Sequence, residues 1–153
     1  MSGMFEKTFQ VGWRDVDPNG HVANMVYLEY AVDTRIAFFA SEGFPPIGFV
    51  KYGFGPVIKS DFTEYFREVI MLAEIRLTME NGGHSNDFSR FRVINTVYRA
   101  DGEMAARVTS IGGWLNLRER KLMEPPEEIK KAWLNLSRTD DFEELKSSVK
   151  RQD

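Results

Sequence analysis

Hydrophobic and polar residues alternate at the start of the chain. Phe5, Phe9, Val11 and Trp13 fall on one side of an extended segment, and mostly polar residues fall on the other. A period of two is typical of a β-strand with one buried face. We therefore predict the first strand over residues 5–13.

The next long pattern, residues 24–40, predicts a helix. Twelve of its 17 residues are apolar or aromatic, and the five polar ones do not gather into one stripe at 3.6 residues per turn. We expect protein to surround this helix, which is too short and too charged to span a bilayer, where about 20 apolar residues are needed. Gly43 and Pro45-Pro46 end the helix and open a glycine-rich connection.

Four further strands are predicted, at about residues 56–66, 69–80, 86–99 and 104–115. Asn81-Gly82-Gly83 and Asp101-Gly102 provide turns between them, and such short connections imply an antiparallel meander. One helix followed by a meander is buried only if the sheet curls around it. The predicted fold class is therefore α+β, with a long central helix wrapped by a curved antiparallel sheet of about five strands.

Residues 116–153 differ in character from the core at about 5–115. Pro125-Pro126-Glu127-Glu128 is typical of a short helix that has proline and acids in its first turn. The segment from Asp140 to Glu143 resembles a capping box that starts another helix. We interpret 116–153 as peripheral C-terminal helices or a tail of a single domain, 1–153, with no catalytic content.

Composition narrows the function classes. The net charge is −3 and Lys and Arg are scattered along the chain, which argues against a nucleic-acid partner. The chain has no cysteine, and His21 and His84 are far apart, so disulfides, thiolate catalysis and a metal site are not expected. The N-terminus lacks the pattern of a secretion signal, and we expect a cytoplasmic protein without a membrane partner.

Candidate chemistry lies in the turn before the helix. Asp17-Pro18-Asn19-Gly20 fits a type I turn, with Asp first, Pro second and Gly fourth. The turn leads directly into the predicted helix, whose N-terminus presents unpaired N–H groups and partial positive charge. A carboxylate beside such a terminus can serve a site for an anion or a developing oxyanion.

The run Trp13-x-Asp15-x-Asp17-x-x-Gly20-His21-Val22-x-Asn24-x-x-Tyr27, with Arg35 further along the helix, resembles the N-terminal signature of one enzyme family. That family is the hotdog-fold acyl-CoA thioesterases of the 4-hydroxybenzoyl-CoA thioesterase type. The resemblance covers residues 5–115 and implies a hotdog fold that pairs into a homodimer or tetramer, with active sites at the subunit interface. The implied substrate is an acyl-CoA, so CoA would be part of the substrate and no separate cofactor is expected.

The resemblance also assigns roles by position. Asp17 matches the catalytic carboxylate, as nucleophile or general base, and Gly20 lets the backbone approach the substrate. His21 is a candidate to orient the substrate or Asp17. The amides around Val22, Ala23 and Asn24 would form the oxyanion hole, and two candidate substrate contacts are Tyr27, in the wall of the acyl pocket, and Ser85, near the pantetheine arm.

Several of these residues have a plainer interpretation. Asn24 suits the helix N-cap, Asp15 suits a structural role in the loop, and Tyr27 suits the core. We expect Asp33 to pair with Arg35 or with a partner chain. The chain departs from the family at residues 65–69, where relatives have a proline and then Gly-Asp, and this departure puts any substrate contact there in doubt.

The sequence therefore predicts a thioesterase that hydrolyses an acyl-CoA to free acid and CoA. The alternative is a non-catalytic module that binds an acyl thioester or another hydrophobic ligand, because one fold hosts many functions. A hotdog dehydratase is a third possibility. It needs a histidine paired with an acid on the partner chain, which His21 beside Asp17 matches poorly.

Overall fold

The computed structural model describes residues 4–149, and its elements follow the predicted order with additions at the C-terminal end. Its helices are α1 (Val26–Ser41), α2 (Pro46–Tyr52) and α3 (Glu127–Leu134). Its strands are β1 (Phe5–Gln10), β2 (Phe54–Tyr65), β3 (Glu74–Ser85), β4 (Arg90–Arg99), β5 (Met104–Asn116), β6 (Lys121–Met123) and β7 (Arg138–Leu145). No helix within 4–149 is long and apolar enough to cross a membrane.

The sheet has the strand order β1-β3-β4-β5-β2, with every pair along this path antiparallel. β6 extends β5, and β7 runs parallel to β3 beyond the end of β1. Residues of α1 and of the inner sheet face form one core, which includes Tyr30, Ala31, Leu77, Val97 and Val108. This curled sheet around a helix confirms the predicted α+β hotdog fold.

Most of α1 is enclosed, but one stripe is open. Eight of its residues are buried, among them the polar Thr34 and the charged Arg35. The open stripe consists of Glu29, Val32, Asp33, Ile36, Ala40 and Ser41, and Val32 and Ile36 are 40% and 46% exposed. The expectation that protein surrounds the whole helix is therefore not met within one chain.

A second, aromatic core fills the end of the molecule near the C-terminus of α1. It joins Phe38 and Phe39 of α1 to Phe54, Trp114 and Trp133. The glycine-rich connection after α1 is partly helical, because α2 packs Phe49 against Phe54 and Trp114. Gly53 ends α2 with φ 74°, a left-handed conformation that glycine adopts readily.

Two strand boundaries predicted from alternation are wrong. β1 ends at Gln10, and residues 13–15 form a short 3₁₀ turn in which Trp13 is 79% exposed. β3 begins at Glu74 rather than near Val69, because the chain from Val69 to Ala73 turns and bridges back to the loop before α1. At both places the alternation of apolar residues therefore extends further along the chain than the backbone pairing of the strand.

The predicted turn at Asn81-Gly82-Gly83 is instead part of β3. The register of β3 shifts between Asn81 and Gly83 against both β4 and β7, which marks a bulge. A Cβ at Gly83 would clash with the backbone carbonyl oxygen of Glu143, and one at Gly82 would lie 2.7 Å from Ile94 Cγ1. Gly83 therefore lets β7 lie against β3, and Gly82 leaves room for Ile94 of β4. The hairpin turn comes later, at residues 86–89.

The helix predicted at Asp140 is also wrong, because residues 138–145 form β7. The Asp141 carboxylate lies 3.3 Å from Arg92 Nη2 and 3.2 Å from Arg107 Nη2. The Arg138 guanidinium stacks on Phe142, 4.1 Å from the ring centroid. The contacts of Asp141 with β4 and β5 favour the extended chain over a local capping box.

We predict that Gly83→Ala destabilises the protein by about 1–3 kcal/mol, since an added methyl group must displace the backbone of β7. Gly55→Ala is the matched control, because nothing lies within 4 Å of its Cβ position. Urea denaturation monitored by far-UV circular dichroism measures both. Equal midpoints for the two variants would contradict the close packing of β7 on Gly83.

Candidate active site

The loop before α1 forms the predicted turn around Asp17. The Gly20 N–H donates to the Asp17 carbonyl oxygen at 2.9 Å, and Gly20 has φ +80°. Asp17 Oδ1 accepts the backbone N–H of Asn19 at 2.8 Å and that of His21 at 3.2 Å. Within residues 4–149 Asp17 Oδ2 has no hydrogen-bond partner, so one carboxylate oxygen holds the turn and the other is available for chemistry.

Asp15 anchors this loop to α1. Its Oδ2 accepts the Gly12 N–H at 3.0 Å and the Tyr30 hydroxyl at 2.7 Å. Its backbone carbonyl accepts the Ala23 N–H at 2.9 Å. Burial first, and then the hydrogen bond to Asp15, raise the pKa of Tyr30 well above its usual value. The structural role predicted for Asp15 is confirmed.

Asp17 opens onto a cleft of about 290 Å³ between the start of α1 and the end of β2. Asp17, His21, Asn24 and Tyr27 line one wall, and the segment 65–68 lines the other. The Tyr65 hydroxyl donates to the Asn24 carbonyl oxygen at 3.2 Å, which ties the two walls together at one point.

Tyr27 belongs both to the core and to the cleft. It is 3% exposed, and its ring centroid lies 5.6 Å from that of Tyr65 in an edge-on arrangement. Burial, and then the neighbouring Tyr65 and Asp17, raise the pKa of Tyr27. Tyr27 is thus a neutral, largely apolar wall beside the carboxylate, and the two interpretations of this residue are compatible.

His21 faces a second carboxylate. Its Nε2 lies 3.1 Å from Glu68 Oε2, and its backbone pairs with Ile70. The expectation that the imidazole orients Asp17 is not supported, because the backbone amide of His21, and not its ring, holds Asp17. The cleft therefore contains two acids, Asp17 and Glu68, and the imidazole of His21 contacts Glu68.

The backbone amides at the start of α1 divide into two groups. The Val22 N–H donates to the Val69 carbonyl at 2.8 Å, and the Ala23 N–H donates to Asp15. These two amides are engaged, so the expectation that they line an oxyanion hole is wrong for this conformation. Within 4–149 the N–H groups of Asn24 and Met25 have no hydrogen-bond partner.

Asn24 is not the helix N-cap. Met25 occupies that position, and no side chain makes a capping hydrogen bond. Asn24 is exposed, and its side chain makes no hydrogen bond within the described residues. Its amide N–H and its side chain therefore both remain available at the edge of the cleft.

Ser85 is not placed to contact a substrate. It is fully buried at the opposite end of β3 from the cleft. Its hydroxyl donates to Asp87 Oδ1 at 2.7 Å and accepts the Arg90 N–H at 3.0 Å. Ser85 stabilises the turn between β3 and β4, which explains a small hydroxyl residue there without any ligand.

Arg35 does not pair with Asp33. Its Nε donates to Asn95 Oδ1 at 2.9 Å, and its Nη2 donates to Ser110 Oγ at 2.7 Å. Ser110 Oγ in turn donates to Asp61 Oδ1 at 2.5 Å. The arginine therefore links the interior of α1 to β4, β5 and β2, and Asp33 stays exposed on the open stripe.

Sequence reasoning missed the outer wall of the cleft. Tyr65 and Glu68 lie in the segment 65–69, where the sequence departs from the family pattern and a substrate contact was therefore doubted. That departure was the one feature of the sequence that pointed to an unusual wall at this place. Within residues 4–149 no group of three or more His, Asp or Glu side chains is arranged to hold a metal ion.

Comparison with known proteins identifies relatives of the whole core. The family model of the thioesterase-like superfamily matches residues 11–133. No curated protein sequence matches the chain. The fold resembles a Staphylococcus aureus protein solved in complex with CoA, with a TM-score of 0.78, 20% identity, and coverage of 88% of this chain and 86% of that one.

Two enzymes of known substrate have a similar fold. The 1,4-dihydroxy-2-naphthoyl-CoA thioesterase of Synechocystis has a TM-score of 0.78 and 19% identity over 86% of this chain and 96% of its own. A gentisyl-coenzyme A thioesterase has a TM-score of 0.74 and 16% identity over 84% and 98%. At such identities these structures show the shared fold only.

We predict that Tyr30→Phe lowers the free energy of unfolding at pH 8, because it removes a hydrogen bond to a charged group, typically worth about 1.5–3 kcal/mol. The raised pKa of Tyr30 means that this contribution is present below the unfolded tyrosine pKa of 10.0 and is lost as pH rises above it. Urea denaturation of both proteins between pH 8 and pH 11 should show the difference narrowing. A constant difference would contradict the Tyr30–Asp15 bond.

Proposed function

Because the chain belongs to the thioesterase-like superfamily, we propose that it hydrolyses an acyl-CoA thioester to a free acid and CoA. One observation carries the proposal. Asp17 Oδ2 and the amide N–H of Asn24, which have no hydrogen-bond partner among residues 4–149, belong to residues that line the same wall of the cleft at the N-terminus of α1. A base and an oxyanion donor in one cleft are what acyl transfer to water requires.

In this proposal Asp17 activates the attack on the thioester carbonyl carbon. As a general base, its Oδ2 takes a proton from water while the water oxygen bonds to that carbon. The bond from carbon to sulfur then breaks, and the CoA thiolate leaves and takes up a proton. As a nucleophile, Oδ2 would itself bond to the carbon, and the carbon–sulfur bond would break to release the CoA thiolate, which takes up a proton. Water would then hydrolyse the resulting anhydride to the free acid and the Asp17 carboxylate. The turn that fixes Oδ1 holds Oδ2 in place for either route.

The start of α1 supplies electrostatic stabilisation of the transition state. Charge develops on the carbonyl oxygen as the tetrahedral intermediate forms. The amide N–H of Asn24 is available to it, in addition to the partial positive charge of the helix N-terminus. One such donor is typically worth about 2.7–4 kcal/mol in the transition state. The engaged amides of Val22 and Ala23 hold the loop in position instead.

His21 and Glu68 form the second functional pair. Their side chains are 38% and 62% exposed, so this contact contributes little to stability. With Nε2 directed at Glu68, the ring is held in one orientation at the side of the cleft. We assign His21 the transfer of a proton to the leaving sulfur and Glu68 the positioning of the ring.

Self-association into a homodimer or tetramer is part of this proposal. β2 is an edge strand of the sheet, and Phe62 and Tyr65 of β2 and the next residue, Phe66, are 63%, 50% and 51% exposed. An unpaired strand edge with apolar side chains favours pairing with another chain. Because Tyr65 and Phe66 also line the cleft, a subunit paired there would complete its outer wall.

We predict that Asp17→Asn lowers kcat by about 10²–10⁴-fold, the usual contribution of a general base. The amide oxygen can still accept the N–H groups of Asn19 and His21, so the turn should remain. Release of free thiol from acyl-CoA measures turnover, and circular dichroism checks the fold. Asp33→Asn, at an exposed position of α1, is the matched control and should leave kcat unchanged. Undiminished turnover in Asp17→Asn would exclude this mechanism.

We predict that His21→Ala lowers kcat by about 100-fold and that added imidazole partly restores it, because the side chain is accessible from solvent. Glu68→Gln should lower kcat less than His21→Ala does, with KM nearly unchanged. Glu74→Gln, which replaces an exposed acid outside the cleft, is the control for Glu68. Loss of activity without imidazole rescue would assign His21 a structural role only.

The same thiol assay separates an enzyme from a binding module. Incubation with a panel of acyl-CoAs should release CoA with turnover. Binding detected by calorimetry without thiol release would favour the non-catalytic alternative.

A further inference from the structure

One buried tyrosine of the cleft has a hydroxyl group that the rest of the protein does not use. Tyr27 is 3% exposed, and its ring belongs to the core around α1. Within residues 4–149 its hydroxyl has no hydrogen-bond partner, and the oxygen is accessible rather than enclosed. Because Tyr27 lines the cleft of Asp17, this oxygen faces the cleft. A buried side chain whose polar end is left unpaired at a cleft points to a ligand group that pairs with it.

The second tyrosine of the cleft, Tyr65, is already engaged. A tyrosine hydroxyl carries one proton, and Tyr65 donates it to the Asn24 carbonyl oxygen at 3.2 Å. The rings of Tyr27 and Tyr65 meet edge-on with their centroids 5.6 Å apart, without a hydrogen bond between the two hydroxyls. Among the described residues that line the cleft, Tyr27 therefore has the one phenolic proton that remains for a ligand.

The surroundings of Tyr27 keep this proton on the phenolic oxygen. Burial, and then Tyr65 and the Asp17 carboxylate, raise the pKa of Tyr27. At neutral pH the group is therefore an uncharged hydrogen-bond donor and not a base. Tyr27 does not compete with Asp17 for the proton of a water molecule, and the two residues have complementary chemistry on one wall of the cleft.

Helix geometry directs the Tyr27 side chain toward the start of α1. Side chains of an α-helix tilt toward its N-terminus and cover the preceding turn. Tyr27 lies in the first turn of α1, and Asn24 lies three residues earlier on the same wall of the cleft. The hydroxyl of Tyr27 and the amide N–H of Asn24, both without a partner among residues 4–149, therefore serve the same region of the cleft, next to Asp17.

We propose that the Tyr27 hydroxyl is a catalytic hydrogen-bond donor to the thioester carbonyl oxygen, together with the amide N–H of Asn24. The inference rests on the proposed thioesterase function and adds a second donor to its site. As water adds to the carbonyl carbon and Asp17 takes the proton of that water, the carbonyl π electrons move to the oxygen, where both donors stabilise the charge. When the carbon–sulfur bond breaks, the carbonyl forms again, and Tyr27 keeps its proton throughout.

The stability of Tyr27→Phe separates this role from a structural one. The substitution keeps the ring in the core and removes only the hydroxyl. Because that hydroxyl has no partner within residues 4–149, the urea midpoint should equal that of the wild type, whereas Tyr30→Phe loses its bond to Asp15 and should have a lower midpoint. A midpoint of Tyr27→Phe as low as that of Tyr30→Phe would show that the Tyr27 hydroxyl is bonded inside the protein, and would overturn the proposal.

Thiol release from acetyl-, hexanoyl- and benzoyl-CoA measures the catalytic effect. Tyr27→Phe should lower kcat by about 10²-fold, the low end of the cost of losing one oxyanion donor, with KM nearly unchanged. The loss should be similar for every acyl group that is turned over, because the carbonyl oxygen is common to them. Tyr52→Phe, at an exposed position of α2 outside the cleft, is the matched control and should leave kcat unchanged. Undiminished kcat in Tyr27→Phe, or a loss confined to one acyl group, would overturn the assignment.

Two CoA thioethers distinguish failure of this inference from failure of the proposed function, because neither probe needs hydrolysis. S-trifluoroacetonyl-CoA has an electrophilic ketone that takes up water or a carboxylate to resemble the tetrahedral intermediate, and S-propyl-CoA has no carbonyl. In calorimetry, Tyr27→Phe should bind the ketone at least about 10-fold more weakly than the wild type and S-propyl-CoA equally well. Equal affinity of the two proteins for the ketone would overturn the role of Tyr27 and leave the thioesterase proposal intact. If the wild type releases no thiol, the thioesterase proposal fails, and a ketone affinity that still depends on the hydroxyl supports Tyr27 as the group that binds the carbonyl.

Discussion

The enclosure of α1 is the constraint from which the rest of the structure follows. A helix with apolar residues on several faces is stable in water only when other elements cover it. The sheet meets this requirement by curling, and curling brings the end of β2 against the start of α1, where Tyr65 contacts Asn24. The cleft beside Asp17 is thus a consequence of how the helix is buried. The open stripe with Val32 and Ile36 marks where one chain leaves this burial incomplete.

Two carboxylates only two residues apart have different surroundings and therefore different uses. Asp15 accepts hydrogen bonds from the Tyr30 hydroxyl and from the Gly12 amide, so its carboxylate stabilises the loop. Asp17 uses one oxygen for its own turn and keeps the other unpartnered at the cleft. Anchoring by the first acid limits the motion of the second, and positional restraint of this kind is a large part of what a reactive group needs.

The sequence was sufficient where local patterns determine structure. The turn at Asp17, the helix after it and the antiparallel meander of β3, β4 and β5 follow from residues close together in the chain, and the structure confirms them. The meander predicted for β2 is wrong, because β2 pairs with β5 and not with β3. Contacts between distant segments were not accessible in this way. Glu68 meets His21 only because the chain at Val69 and Ile70 pairs with the loop before α1. The glycines at 82–83 indicate a turn until the backbone of β7, 60 residues later, is known to lie against Gly83.

The buried Arg35 connects α1 to three strands of the sheet. A cation in the middle of an enclosed helix is costly unless hydrogen bonds and an opposite charge compensate it. Asn95, Ser110 and Asp61 supply both, and they direct the guanidinium toward the strands. The compensated arginine therefore leaves no free charge in the adjacent cavity of about 330 Å³, whose other lining side chains are apolar or aromatic. A carboxylate or a phosphate there would have to compete with Asp61 for the same guanidinium, so charge compensation selects against anionic occupants.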